Sequence, residues 1–175
     1  MRFMKNTWRL IVTAPATGAW NMALDEAILE AAGRGEVPPT LRLYAWQPAC
    51  LSLGYAQPFT DVDFEGLKAN AWDLVRRSTG GRAILHVDEL TYSVSGPQSE
   101  ARLAGSVLES YRLISQALLQ ALHLLDIPAE AREKPGNGNP AGSGKKLGSE
   151  LNPVCFEVPS NYEITVDGKD RKSVV

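Results

Sequence analysis

Cysteine and histidine are scarce. The 175 residues hold two of each: Cys50, Cys155, His86 and His123. Two cysteines cannot build a disulfide framework and point to a reducing, cytoplasmic setting. Two histidines without paired cysteines leave a zinc site short of ligands. A surplus of charge is also missing. Eighteen Lys and Arg stand against 20 Asp and Glu, for a net charge of -2, and a nucleic-acid surface needs a basic face that this balance does not supply. No apolar run approaches the ~20 residues that span a bilayer. Met1 to Arg9 carries basic residues with no apolar stretch behind them, unlike a signal peptide. What remains is globular: 44% hydrophobic and 22% charged, which excludes disorder and fibre. The length suits one domain with a real core.

The local pattern alternates between strand and helix signals. Trp8 to Thr13 is rich in β-formers and predicts a strand. Asn21 to Ala32 predicts a helix in which Met22, Ala23, Ile28, Ala31 and Ala32 share a face, ended by Gly33 and Gly35. Leu41 to Trp46 and Leu51 to Tyr55 read as paired strands around Gln47-Pro48. A short helix follows over Asp61 to Ala71, capped by Asp61 or Asp63, then a strand over Asp73 to Arg77. Arg82 to Val87 and Leu90 to Ser95 read as a hairpin. From Ser106 to Leu125, Val107, Leu108, Tyr111, Ile114, Leu118, Leu122 and Leu125 recur at helical steps until Ile127-Pro128. Lys134 to Leu147 is dense in Gly, Pro, Asn and Ser and reads as a loop. Asn161 to Val166 is a strand, with Asp167-Gly168 as a hairpin turn. The fold class is α/β or α+β, a mixed sheet with packed helices.

Few residues carry chemistry. Gly80-Gly81 lies between two strands, just after Arg76-Arg77. It is either a tight turn beside solvated arginines or a loop whose backbone approaches an anionic ligand. His86 is either a hydrogen-bonded structural residue or a ligand contact. Gly142 to Lys146 (GSGKK) imitates a P-loop. It fails because Asn139 and Lys146 stand where that motif needs Gly and Ser or Thr. Cys50 reads as a small buried hydrophobe. Cys155 has the same bland reading, and as a nucleophile it would need a neighbouring cation or base to hold its thiolate.

Several ordered motifs together resemble the lipoate–protein ligase A/B family, which shares the catalytic fold of biotin protein ligases. They are Asn21-Met22-Ala23 with Asp25-Glu26-Ala27, Leu41 to Trp46 with Ser52 to Gln57, Arg76 to His86 with Glu89 to Ser93, and Cys155 to Glu163. The resemblance runs from Trp8 to Lys169. Arg82 replaces the third glycine typical of ATP-using ligases. With a cysteine at 155, that variant is similar to the octanoyltransferases of Gram-positive bacteria. The resemblance implies that Cys155 accepts an octanoyl (or lipoyl) group from acyl carrier protein as a thioester. The group then passes to a lysine of a lipoyl-domain protein such as the glycine-cleavage H protein. It implies substrate-binding roles for Arg76, Gly80, Gly81, Arg82 and His86, with Ile84 and Leu85 as candidate walls of an acyl tunnel. It implies no cofactor, no metal, no nucleic acid and no membrane. The alternatives are an ATP- and magnesium-dependent lipoate ligase, or an inactive or accessory fragment.

One stretch departs from the family. A lysine is expected 15 residues after the cysteine, where this chain has Asp170, flanked by Lys169 and with Lys172 two residues later. A two-residue step along a strand keeps the same face and moves the group by about 7 Å. Asp170 to Val175 is what the codons GAT CGG AAG AGC GTC GTG encode, the opening of a common short-read sequencing adapter. The expected organisation is a partial catalytic domain over residues 1–169 and a non-native tail over 170–175, with the family's sheet continuing beyond. The 175-residue chain by itself is expected to be poorly soluble and inactive. The alternatives are a genuine insertion that makes Lys172 the working lysine, or a split gene whose partner chain supplies the rest.

Overall fold

The computed structural model describes residues 7–133, 162–166 and 169–172. The Gly- and Pro-rich stretch 134–147 and Cys155 lie outside the described residues. Two compact units divide the chain after Ala104. The first contains β1 (Arg9–Val12), α1 (Gly18–Gly33), β2 (Thr40–Tyr44), β3 (Cys50–Leu53), a 3-10 turn at Phe59–Asp61, α2 (Phe64–Ala69), β4 (Asp73–Arg76), β5 (Ile84–His86) and β6 (Thr91–Ser95). The second contains α3 (Val107–Leu124), β7 (Ala129–Glu133), β8 (Tyr162–Val166) and β9 (Lys169–Lys172). The mixed α/β character read from the sequence is present in both.

The first unit has two three-stranded sheets. In one, β2 is central, with β1 parallel and β6 antiparallel to it. In the other, β3 is central, with β4 parallel and β5 antiparallel. Neither expected hairpin forms. Leu41 to Trp46 does not pair with Leu51 to Tyr55, because β2 and β3 are the centres of different sheets. Arg82 to Val87 does not pair with Leu90 to Ser95, because β5 joins β3 and β6 joins β2. Short connections carry the chain from one sheet to the other at both places, so nearness in sequence gives no ladder.

Thr17, in extended backbone, caps α1 by accepting from the Trp20 amide at 3.4 Å, which starts the helix three residues before the apolar repeat. Its buried positions are Gly18, Asn21, Ile28 and Ala32, whereas Ala23, expected on the inner face, is exposed. Asp63 caps α2 through the Gly66 amide at 2.9 Å. In the second unit, Ser106 and Glu109 form a reciprocal capping box at the start of α3. That helix packs on β7 and β8 with Tyr111, Ile114, Leu118 and Leu122 half-buried. Val107, Leu108 and Leu125 belong to the same repeat yet stay exposed.

β7 has no sequence signal, since Ala-Glu-Ala-Arg-Glu is poor in strand formers; antiparallel pairing with β8 makes it a strand. β9 pairs with β8 across a register shift. Asp170 lies opposite Thr165 and Lys172 opposite Ile164, so two steps on β9 match one on β8. Lys172 therefore does not repeat the register position of Asp170, contrary to the expectation from a regular strand.

Candidate functional site

Strand alternation divides the second sheet of the first unit into two unlike faces. Leu51, Leu53 and Leu74 lie on one, against Val62, Leu67, Trp72 and Ala83. Cys50 and Ser52 of β3, Asp73 and Val75 of β4, and Ile84 and His86 of β5 share the other by register. Arg77 continues that second face one step past β4, where its amide donates to the Leu53 carbonyl at 3.0 Å. Trp46 covers His86, with rings stacked at 4.0 Å and 11°.

On this face sits a buried polar chain. Arg77 Nη1 donates to the Ser52 carbonyl at 2.9 Å and to Ser52 Oγ at 3.1 Å. Ser52 Oγ lies 2.7 Å from His86 Nε2. His86 Nδ1 lies 2.5 Å from Glu89 Oε1, which also accepts from Thr91 Oγ1 at 2.7 Å. Thr91 Oγ1 in turn accepts from Trp46 Nε1 at 2.7 Å. Ser52 is fully buried, and His86 and Arg77 nearly so.

The chain ends at the glycine loop. Arg77 Nη2 donates to the carbonyls of Gly80 at 2.9 Å and Arg82 at 2.6 Å. The Tyr55 amide bonds the Thr79 carbonyl at 2.9 Å. A Cβ on Gly54 would stand 1.9 Å from the Gly81 carbonyl oxygen, so the loop can close onto β3 only because residue 54 is glycine. Gly81 has φ +87°, a conformation that glycine adopts without strain. Arg82 Nη1 is buried with no hydrogen-bond partner among the described residues.

Of the residues read as candidates, the structure brings His86, Gly80, Gly81 and the backbone of Arg82 onto one network. It does not bring Arg76 there. Arg76 opposes Leu53 in register, on the face away from Ser52, and its Nη1 is spent on the carbonyls of Gly54, Tyr55 and Gln57 at 2.7, 3.0 and 2.7 Å. Its neighbour Arg77 takes the inner place. Ile84 and Leu85 point to opposite faces, so they cannot both wall one tunnel. Ser52, Glu89 and Trp46 stand within the family motifs, but nothing in the sequence assigns any of them a role; a serine diagonally opposite a histidine becomes visible only once β3 and β5 are paired. His123 bonds the Ala129 carbonyl through Nε2 at 2.8 Å, a structural role.

Cys50 is inert. Burial, then the nearby Asp73 charge, push its thiol up to about 12. Its Sγ lies 2.5 Å from where a Gly18 Cβ would be, so the start of α1 packs directly on it. Among the described residues, no group of three or more His, Cys, Asp or Glu is placed to hold a metal. No helix among them is long and apolar enough to cross a membrane.

Burial pushes the Glu89 carboxyl up, but the hydrogen bonds from His86 and then Thr91 act the other way, and the group ends below its usual value of 4.5. A carboxylate that ionises more readily when folded contributes stability that is present above its unfolded pKa and lost as the pH falls through the folded one. Wild-type protein should therefore lose stability on acidification below about pH 4.5 more steeply than Glu89→Gln. Urea midpoints measured from about pH 6 down to about pH 3, on both sides of the carboxylate pKa, check this; parallel curves would refute it.

Comparison with known proteins places these observations. Residues 17–170 match the family model described as the lipoyl protein ligase A/B catalytic domain. The octanoyltransferase LipM of Kyrpidia tusciae is 47% identical over 164 residues, covering 93% of this chain and 58% of that protein. The chain thus spans less than two thirds of the length of this curated relative. Among solved structures, protein Ta0514 of Thermoplasma acidophilum with bound lipoic acid superposes with TM-score 0.66 at 28% identity, covering 93% of this chain and 59% of its own. A bipartite lipoate protein ligase from the same organism, described with its E2 lipoyl domain, superposes with TM-score 0.53 at 28% identity, covering 74% of this chain and 48% of its own.

Proposed function

The chain belongs to the lipoyl protein ligase A/B catalytic domain family, and from that premise we propose that it is an octanoyltransferase of protein lipoylation acting in the cytoplasm. Its donor is octanoyl-acyl carrier protein and its acceptor a lysine of a lipoyl-domain protein, the glycine-cleavage H protein being one candidate. The observation that carries this reading is the 47% identity to an octanoyltransferase over nearly the whole chain. Cys155 within Cys-Phe-Glu and Arg82 in place of a third glycine agree with it. The solved bipartite ligase described with its lipoyl domain supports an acceptor of that class.

The chemistry needs one nucleophile and no activation of the acyl group. The Cys155 thiolate attacks the thioester carbonyl of the donor. A new carbon–sulfur bond forms and the carrier thiolate leaves, taking a proton. The neutral lysine amine then attacks the acyl-cysteine. An amide forms, the amine loses a proton, and Cys155 departs as thiolate. Because the thioester arrives activated, neither ATP nor a metal is required. Gly80 and Gly81 let the acyl head approach backbone, and the orphaned Arg82 Nη1 is a donor for its carbonyl or for the carrier's phosphate. His86 stiffens the loop from behind, and Arg76 acts through the Gly54 to Gln57 carbonyls that it holds. The same reading assigns residues 1–169 to a partial catalytic domain.

Incubation of a full-length version with octanoyl-acyl carrier protein, followed by peptide mass spectrometry, tests the reading. An octanoyl adduct on Cys155 is expected, with Cys50 unmodified because its thiol stays protonated near neutral pH. Labelling that instead requires ATP and free acid, with no adduct on Cys155, would favour a ligase.

A further inference from the structure

The chain from Arg77 to Glu89 has an ordered set of protons. Arg77 can only donate, so Ser52 Oγ accepts from its Nη1. Among the described residues His86 Nε2, 2.7 Å away, is the one recorded partner of Ser52 Oγ able to accept its hydroxyl proton, and that gives Nε2 the acceptor role. The imidazole must then carry its proton on Nδ1, facing Glu89 Oε1. Thr91 donates to the same carboxylate oxygen, with its own oxygen occupied by Trp46 Nε1–H. The Nη1 and Nη2 groups of Arg77, the Ser52 and Thr91 hydroxyls and both imidazole nitrogens are all committed within the protein.

The order Ser–His–carboxylate has the geometry of a nucleophilic triad, with 2.7 and 2.5 Å contacts. Two features exclude that use. Ser52 is fully buried, and its oxygen already accepts from Arg77. The far end of the chain gives the arrangement its meaning, because the same Arg77 guanidinium holds the carbonyls of Gly80 and Arg82.

We infer that Glu89, His86, Ser52 and Arg77 form one proton-ordered strut that positions the Gly80–Arg82 loop, with Glu89 and Ser52 as positioning residues and His86 held as the neutral Nδ1–H tautomer. His86 then neither gives nor takes a substrate proton. Its importance to the loop comes from stiffness, reinforced by the stacked Trp46 ring. The functional meaning of the strut rests on the proposed acyl-binding role of that loop. Its physical test does not, because it reads the strut without any transfer step.

The full 175-residue chain has two histidines, so 15N-imidazole labelling gives two sets of ring signals, and His123→Gln identifies that of His86. The wild-type protein should show His86 protonated on Nδ1 alone at neutral pH. Glu89→Gln offers a carbonyl oxygen at the same place and should keep that tautomer. Glu89→Ala should lose it. Ser52→Ala should release the tautomer and also shift the Gly80 and Gly81 amide resonances, because Arg77 loses its hydroxyl partner. An Nε2–H or doubly protonated His86 in the wild type overturns the inference even if no variant folds. So do an unmoved tautomer and unmoved glycine amides in folded Ser52→Ala. Failure to form the Cys155 adduct would leave these signals unchanged, so the two readings fail separately.

Discussion

Asp25→Ala should destabilise the first unit by about 3–5 kcal/mol, the range for removing one partner of a buried ion pair. Arg42, on the inner face of β2, is fully buried. Its Nη1 donates to Asp25 Oδ1 at 2.8 Å and to the Asn21 carbonyl at 3.1 Å. Its Nη2 reaches Asn21 Oδ1 at 2.7 Å and Thr13 Oγ1 at 3.2 Å. Asp25 is the only carboxylate on this guanidinium among the described residues. It also accepts from Tyr44 at 2.8 Å and from Ser93 at 2.7 Å. Alanine at 25 therefore leaves the Arg42 charge without its carboxylate and the Tyr44 and Ser93 hydroxyls without their acceptor. Burial, the largest cause that holds the Tyr44 phenol above its usual pKa, remains in the variant, whereas the Asp25 charge and hydrogen bond that add to it are removed. Chemical unfolding monitored by tryptophan fluorescence checks the figure. Domains are stable by only about 5–15 kcal/mol, so this one change should abolish much of the folded population under mild denaturant. A loss below about 1 kcal/mol, the ordinary value of an exposed pair, would show that the network is not what joins α1 to β2 and β6.

Gly54→Ala should have the second large effect, and it should fall on the loop. The added methyl would stand 1.9 Å from the Gly81 carbonyl oxygen and 2.8 Å from its carbonyl carbon, both backbone atoms that no side-chain rotation can move aside. Either the Thr79–Gly81 segment lifts off β3 or β3 itself bends, and overpacking of this kind costs about 1–3 kcal/mol. The Tyr55–Thr79 bond and the two Arg77 bonds to the loop carbonyls should weaken together. The expected result is a modest fall in unfolding midpoint with, in a full-length version, a disproportionate loss of the proposed acyl-adduct formation on Cys155. Adduct formation at the wild-type rate would mean that the loop is not part of the acyl site. Gly33 makes a useful control, because nothing lies within 4 Å of a Cβ there.

Much of the secondary structure was legible in the sequence because it is encoded over a few residues. The repeat of Tyr111, Ile114, Leu118 and Leu122 marks α3, Ser106 with Glu109 marks its start, and Asp63 marks that of α2. The glycine loop was legible as well, since two adjacent glycines between strands require a special backbone. The family could be read from several ordered motifs, and the match over residues 17–170 agrees. Cys155 is named by its motif alone.

The pairing of strands and the purpose of the buried polar residues belong to the tertiary structure. Two hairpins suggested by adjacency give way to sheets centred on β2 and β3, because a ladder forms wherever complementary faces can be buried and the chain between them need only be long enough to close. In β2 the inner face is Thr40, Arg42 and Tyr44, with Leu41 and Leu43 only half-buried. A pattern of apolar residues reads that strand the wrong way round, since the signal for burying an arginine is a carboxylate on another element, Asp25 of α1. Arg76 and Arg77 are equivalent as letters, and strand alternation sends one to the outer carbonyls and the other to Ser52 and the glycine loop. Ser52, His86 and Glu89 become neighbours only when β5 lies antiparallel to β3. By itself the sequence determined most of the helices and strands, though not β7, together with the glycine loop and the family. Tertiary structure decided which polar side chains meet, because hydrogen-bond partners 25 and 34 residues apart are set by strand register and by no local preference.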